Sequence, residues 1–326
     1  MYDADAPQEF AFELALCAHL EAATEWVLGR QLGAAVERSG RRIMDVVGVV
    51  PGPAFDDRAR ITAETVPVRA VESDVGVGEA IARHRAVRES DRLHDAAVDA
   101  AVEVGFFETE RRKTREYVRQ TTRYPDDWFD RLVGIENKPD LGDPGALDRQ
   151  LRTDVSLGLF DSVILATESH VTRAHLNRIP TEVGVWRFDP ETQSRDVIRE
   201  PTSLSTDAPG VELVEERPLE TEVEVVDGDA KARSRRRVAE RVYGKGWRTY
   251  DAPACAHAEV TDDGRPYCTQ FGRVVDPSRA CGADCGAHDP AVAPEVDADA
   301  LRDARTPWEG NPPGVRRRQS GLDRFK

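Results

Sequence analysis

Two short stretches of this chain set acid and base groups inside strand-like text. Arg42-Ile43-Met44-Asp45-Val46-Val47-Gly48-Val49-Val50 is β-branched and apolar apart from its first residue and one carboxylate, and Pro51-Gly52-Pro53 closes it as a turn. It reads as a buried strand carrying an acid, Asp45. Arg131-Leu132-Val133-Gly134-Ile135-Glu136-Asn137-Lys138 is a second strand pattern and ends in Glu-x-Lys. Alternation puts Glu136 and Lys138 on one face and Asn137 on the other. By itself Glu-x-Lys is common as a cross-strand ion pair. Beside a second acid it could do more, because one or two carboxylates with waters hold Mg2+ or Mn2+, and a neighbouring ammonium can orient attacking water or stabilise developing charge. The lysine is informative in its own right. Only 5 of the 45 basic residues are lysine (Lys113, Lys138, Lys231, Lys245 and Lys326). Arginine, with a pKa above about 12, serves poorly in proton transfer, whereas a partly buried lysine can do it.

A second chemistry lies near the C-terminus. Cys255, Cys268, Cys281 and Cys285 are separated by 12, 12 and 3 residues, with His257 and His288 nearby and Cys17 far upstream. Four thiolates suit tetrahedral Zn2+ or an iron-sulfur cluster, and a segment this short and polar has little core of its own to hold it folded. Just before it, residues 231 to 248 hold eight Lys or Arg and one Glu, interleaved with Tyr243 and Trp247. Arg233, Arg235, Arg236, Arg237, Arg241, Lys245, Trp247 and Arg248 read either as a phosphate-tracking patch with aromatic stacking partners or as a solvated amphipathic helix.

The background is acidic, with 60 Asp and Glu against 45 Lys and Arg, a net charge of -15, and a pI near 5.0. Charge of this kind speaks to solubility in a salty cytosol and not to fold, so local basic patches count for more than the total. No run of about 18 apolar residues is present, and Met1-Tyr2-Asp3-Ala4-Asp5 lacks a signal-peptide pattern, so the expected location is the cytoplasm.

The elements that must position these groups follow from periodicity. Residues 8 to 38 repeat apolar positions at helical spacing until Gly40, which predicts one long first helix. Residues 1–75 would form the first part of a core and 76–130 an inserted helical subdomain. In the insert, a helix followed by a hairpin with a basic tip at Arg111-Arg112-Lys113 is what a winged helix would look like; a small helical cap is the plainer reading. Residues 131–200 would complete the core, with Asp143-Pro144-Gly145 in a loop before a helix over ALDRQLRTDVSLGLF and strands over SVILAT and VGVWRF. Residues 201–230 read as a connector, 231–290 as the basic helix and Cys-rich module, and 291–326 as a flexible tail. The expected class is α/β, a mixed sheet covered on both faces.

An acid on one strand, Glu-x-Lys on its neighbour, then a helix with Gln near its start resembles the PD-(D/E)xK, or restriction-endonuclease-like, nuclease superfamily. The resemblance rests on Asp45, Glu136-Asn137-Lys138 and Gln150, and covers residues 8 to 52 and 131 to 190. It implies metal-dependent hydrolysis of nucleic-acid phosphodiester bonds, DNA more than RNA, with Mg2+ or Mn2+ on Asp45 and Glu136. It further implies that Gln150 orients a phosphate or water, and that a Glu of the first helix assists, with Glu13 the candidate and Glu9 its competitor. Some members carry an iron-sulfur cluster with one upstream cysteine, which makes Cys17 an alternative ligand. The 136 - 45 = 91 positions between the acid and Glu136 require an insertion where the superfamily has a short hairpin; otherwise Glu64 or Asp74 would be the acid. The whole chain resembles a protein family of salt-loving archaea.

Overall fold

The computed structural model describes residues 6–36, 42–86, 92–142, 146–217 and 219–313. The chain forms two compact units, Met1–Val50 with Arg131–Pro307, and Pro51–Asp130 with Trp308–Lys326. Helix α1 (Ala6–Ala23) leads into strands β1 (Val27–Gly33) and β2 (Ile43–Pro51). The second unit follows, with short helices α2 (Phe55–Ala59) and α3 (Val68–Val71), strand β3 (Ile81–Ala82), helix α4 (Arg92–Glu103) and strands β4 (Phe107–Arg112) and β5 (Arg115–Gln120). The chain returns through β6 (Phe129–Asn137), α5 (Leu147–Leu157), β7 (Ser162–Thr167), α6 (Arg173–Leu176), β8 (Gly184–Asp189) and β9 (Ser194–Arg199). Strands β10 (Gly210–Arg217) and β11 (Glu220–Val226) and helix α7 (Gly228–Lys245) come next. The small elements β12 (Ala258–Val260), β13 (Pro266–Cys268), β14 (Arg273–Val274), α8 (Pro277–Ala280) and α9 (Ala298–Arg305) end the described chain.

The first unit is built on a mixed six-stranded sheet in the order β1-β2-β6-β7-β8-β9. β1 and β2 are antiparallel, β6, β7 and β8 run parallel, and β9 returns antiparallel at the edge. The parallel pairs need crossovers, which α5 and α6 occupy. Helix α1 lies against the sheet, with Phe12, Leu16 and Leu20 clustered with Leu28, Val46, Ile135, Ile164 and Phe188. Gly158 ends α5 in a left-handed conformation, φ +58°, and a Cβ there would stand 3.0 Å from the Ser205 carbonyl oxygen and 3.2 Å from Lys231 Nζ, so both backbone and space require glycine.

Several sequence expectations are corrected. The first helix stops at Ala23 and does not run to residue 38. The Thr24 hydroxyl donates to the Leu20 carbonyl at 2.7 Å and accepts from the Trp26 N–H at 3.2 Å, which turns the chain, and Val27, Leu28 and Leu32 then serve a strand. The expected stop at Gly40 lies outside the described residues, as do 143–145 and 314–326. The insert begins at Pro51 and not at residue 76. The connector 201–230 contains the β10–β11 pair, because alternation in VELVEE and TEVEVV outweighs its polar composition. The expected tail contains α9, capped by the Asp297 side chain, which accepts from the Ala300 N–H at 2.8 Å. Beyond it Trp308 is buried and donates to the Ala63 carbonyl at 3.2 Å.

In the second unit, α4 is followed by the β4–β5 hairpin expected from the sequence, but its turn is Lys113-Thr114, with Lys113 at φ +58°, while Arg111 and Arg112 of the expected tip pair within the strands. β3 pairs with β5, giving the order β3-β5-β4. Trp128, Phe55, Phe106 and Phe107 are buried in this unit. No helix among the described residues is long and apolar enough to cross a membrane.

Candidate active site

Because β2 and β6 are neighbours, Asp45 stands beside the Glu-x-Lys strand. Its Oδ2 accepts a hydrogen bond of 2.8 Å from the Asn137 backbone N–H. Residues Pro51–Asp130 between the two strands belong to the other unit, and with them Glu64 and Asp74, the alternative acids.

Both candidate acids of α1 are engaged. Glu9 Oε1 accepts from Lys138 Nζ at 2.9 Å, and Glu13 pairs with Arg30 Nε. Gln31 joins the helix acid to the strand acid, since its Nε2 donates to Glu13 Oε2 at 2.7 Å and to Asp45 Oδ1 at 3.3 Å. Gln31 does so from the left-handed region, φ +52°, in the middle of β1. A non-glycine residue held there costs on the order of 1 kcal/mol and persists only where its surroundings enforce it.

On the other side, Arg42 clamps two buried carboxylates. Its Nη2 donates to Glu136 Oε2 at 2.7 Å and to Asp154 Oδ2 at 2.6 Å, while Nε reaches Asp154 Oδ1 at 2.9 Å. Burial pushes Glu136 up to about 8, and the Asp45 charge adds to this against the pull of Arg42. Burial likewise raises Glu13 to about 7; Arg30 opposes that rise and the Asp45 charge reinforces it. Asp45 is raised by burial and held back by the Asn137 N–H. Asp154 is raised by burial against Arg42. The cluster is thus short of positive charge.

Asp45, half-buried, and Glu136, buried, fit the kind of donor a hard cation takes, two carboxylates that repel one another, and such ions use one or two carboxylates with waters filling the remainder. Among the described residues, no three His, Cys, Asp or Glu side chains are grouped as a larger cage. The Asn137 side-chain amide is buried and its Nδ2 and Oδ1 have no hydrogen-bond partner among the described residues.

Among the described residues, the Gln150 side chain makes no hydrogen bond to the carboxylates. It lines a cavity of about 340 Å3 with Arg42, Arg149, Thr153 and Glu212. One helical turn on, Asp154 is the α5 residue that reaches the cluster. A different cavity, of about 260 Å3, lies against Lys138 and is lined by Gln8, Glu9, Asp140, Glu168 and Ser169. Sequence reading missed Arg42, Gln31, Arg30 and Asp154. Arg42 opens the stretch that carries Asp45, and Asp154 stands one turn after Gln150, so both had a positional signal; nothing in the sequence marks Gln31.

The basic segment divides. Arg235 pairs with Asp161 at 2.8 Å and donates to the Leu159 carbonyl. Trp247 is buried, its Nε1 donating 2.9 Å to Glu21, and Arg248 stacks over its ring and pairs with the same carboxylate at 2.6 Å. As a buried side chain Trp247 offers no stacking platform, which corrects its expected role, and Arg235 and Arg248 are bound into the fold. Arg233, Arg237, Arg241 and Lys245 are exposed, and Arg236 is half-buried.

The four clustered cysteines are reduced and half-buried. Burial raises the Cys281 thiol, and the charges of Cys268, Cys285 and Cys255 raise it further, but no three of these cysteines are grouped as a metal-holding set among the described residues. Cys17 is packed in the core of α1.

No curated protein and no solved structure matches the chain. A family model described as "Family of unknown function (DUF5787)" matches residues 27–290, which takes in Asp45, Glu136, Lys138, Gln150 and all four clustered cysteines and leaves out Glu9 and Glu13 on α1; the chain belongs to this family.

Proposed function

We propose that this protein is a metal-dependent nuclease with a PD-(D/E)xK-type centre, hydrolysing phosphodiester bonds of DNA. The observation that carries the reading is Asp45 seated beside the Glu136-Asn137-Lys138 strand despite the long insertion. The sheet order supports it, with an acid-bearing strand next to the Glu-x-Lys strand and α5 crossing to a parallel neighbour. Asp45 and Glu136 would hold Mg2+ or Mn2+, which when bound neutralises phosphate charge and activates water. Lys138, held by Glu9 at the mouth of the 260 Å3 cavity, positions an ammonium where it can orient water or move a proton. Arg42 and Gln31 keep the carboxylates in place.

The helix-hairpin insert supports a winged-helix reading in its β3-β5-β4 order. Its α4 carries Asp95, Asp99 and Glu103, which disfavours phosphate contact along that helix. The Cys module is proposed to hold Zn2+ or an iron-sulfur cluster through Cys255, Cys268, Cys281 and Cys285, and elemental analysis of purified protein decides which.

A second reading, a nucleic-acid-binding protein on a catalytically silent core, is favoured by Arg42, which already occupies Glu136. Incubation with plasmid and single-stranded DNA in high salt, with and without Mn2+, separates the two. Cleavage that needs Mn2+ and is lost in Lys138→Ala supports the nuclease; salt-sensitive binding without cleavage by the wild type supports the silent core.

A further inference from the structure

Four cations stand in a row on the exposed side of α7. Arg233, Arg237, Arg241 and Lys245 recur at every fourth residue and are all exposed, while Ser234, Val238, Ala239, Val242 and Tyr243 are buried on the opposite side. With a rise of about 1.5 Å per residue, neighbours in the row are about 6 Å apart along the axis and the row is about 18 Å long. That interval is close to the separation of successive phosphates along one nucleic-acid strand.

The row is uncompensated. Arg235 and Arg248 are paired with carboxylates, whereas none of the four is in an ion pair among the described residues. Burial and the Arg241 charge together lower Arg237, and Lys245 is lowered by burial, then by Arg30 and Arg241. In a chain of net charge -15, cations left to repel one another call for an external anion.

The row also has a direction. Arg237 donates to the Ala35 carbonyl at 3.2 Å, Arg241 lies over Gly33, and Lys245 donates to the Arg30 carbonyl at 3.2 Å. It therefore follows β1 toward Arg30 and Gln31, the two residues that hold Glu13. Glu13 is near enough for its charge to act on Lys245.

We propose that the Arg233-Arg237-Arg241-Lys245 row is a track for one nucleic-acid strand, gripped by its phosphates without base stacking and led to the carboxylate cluster. The assignment rests on the nuclease reading for what happens at the end of the track, and on charge and spacing alone for the track itself. With Tyr243 of α7 and Trp247 just beyond it buried, neither offers an aromatic platform to the strand, so binding is insensitive to sequence and strongly sensitive to salt.

The test is fluorescence anisotropy of a short labelled single-stranded DNA across a salt series in EDTA, with Glu136→Gln as parent so that nothing is cleaved. Arg237→Ala/Arg241→Ala/Lys245→Ala in that parent should bind at least about tenfold more weakly and flatten the log-log salt slope by about 2, at roughly 0.7 per lost phosphate contact for single strands. Arg233→Ala/Arg241→Ala changes side chains that make no hydrogen bond among the described residues, so its melting temperature should match the parent while its slope falls by about 1.4. Arg237→Lys/Arg241→Lys should keep the slope. A parent that does not bind, or a triple variant with unchanged affinity and slope, overturns the track. If the salt effect appears but wild-type protein never cleaves with Mn2+, the track stands and the nuclease reading fails; cleavage with an unchanged triple variant means the reverse.

Discussion

The Asp45 carboxylate accepts a hydrogen bond from the backbone N–H of Asn137, a residue 92 positions further along the chain. That bond fixes one oxygen of Asp45 at the edge of the Glu-x-Lys motif, and Gln31 reaches the other oxygen.

Asp45→Asn tests whether this carboxylate is kept for chemistry. Asparagine retains the shape and one acceptor but removes a charge that partial burial already disfavours. The variant should melt at a higher temperature than wild type at neutral pH, while Mn2+-dependent cleavage falls by on the order of 100-fold or more, the pattern of a site that gives up stability for function. A variant with wild-type cleavage would remove Asp45 from the centre.

Glu13 and Glu136 give the protein a pH-dependent stability. Unfolded, each titrates near 4.5; folded, they keep their protons to about 7 and about 8. Between those values the folded chain binds more protons than the unfolded one, so stability falls as pH rises from 4.5 and levels off above about 8. Melting temperatures in chelator should trace that decline. In Glu136→Gln the plateau should be reached near 7, where Glu13 completes its own titration.

Arg42 is the counter-ion of two buried carboxylates. Arg42→Ala should cost about 3–5 kcal/mol in denaturant unfolding, because it leaves two buried carboxyl groups without their donor. The loss should be smaller at low pH, where the carboxyls are protonated. Adding Asp154→Asn and Glu136→Gln should recover much of it.

Gln31 separates backbone from side chain. Gln31→Gly keeps the left-handed conformation without strain and loses the amide, so stability should stay within about 1 kcal/mol of wild type while cleavage falls. Gln31→Ala loses the amide and retains the strain, and should be the less stable of the two. Equal activity in all three proteins would show that the bridge between Glu13 and Asp45 is dispensable.

Much of this was legible in the text of the chain. Apolar runs around Asp45, before Glu136 and over Ser162–Thr167 are strands because no other element buries β-branched residues so continuously. The two acids of α1 were also found, since helix periodicity holds through Ala23. What escaped is what depends on contacts between distant segments. Arg42 reads as a strand-flanking cation until Asp154 comes within 2.6 Å of it, 112 positions later. Trp247 reads as a stacking partner for bases and Arg248 as a phosphate contact until Glu21 on α1, buried, takes both side chains. Gln31 could not be foreseen, because glutamine carries no preference for positive φ.

The neck of the insert bears on how the acids meet. Gly52 N–H donates to the Trp128 carbonyl at 2.9 Å, and a Cβ on Gly52 would stand 2.3 Å from the Asp127 carbonyl oxygen, so the two backbone crossings touch where the second unit leaves and returns. In an unstructured chain, bringing Asp45 to Asn137 would close a loop spanning the 80 residues Pro51–Asp130. Once the insert has folded, the same closure has the span of a hairpin turn, a saving of about 2–3 kcal/mol in chain entropy at about 0.6 per halving. If the insert folds first, the 80 residues that lengthen the connection in sequence shorten it in the search for the native contact.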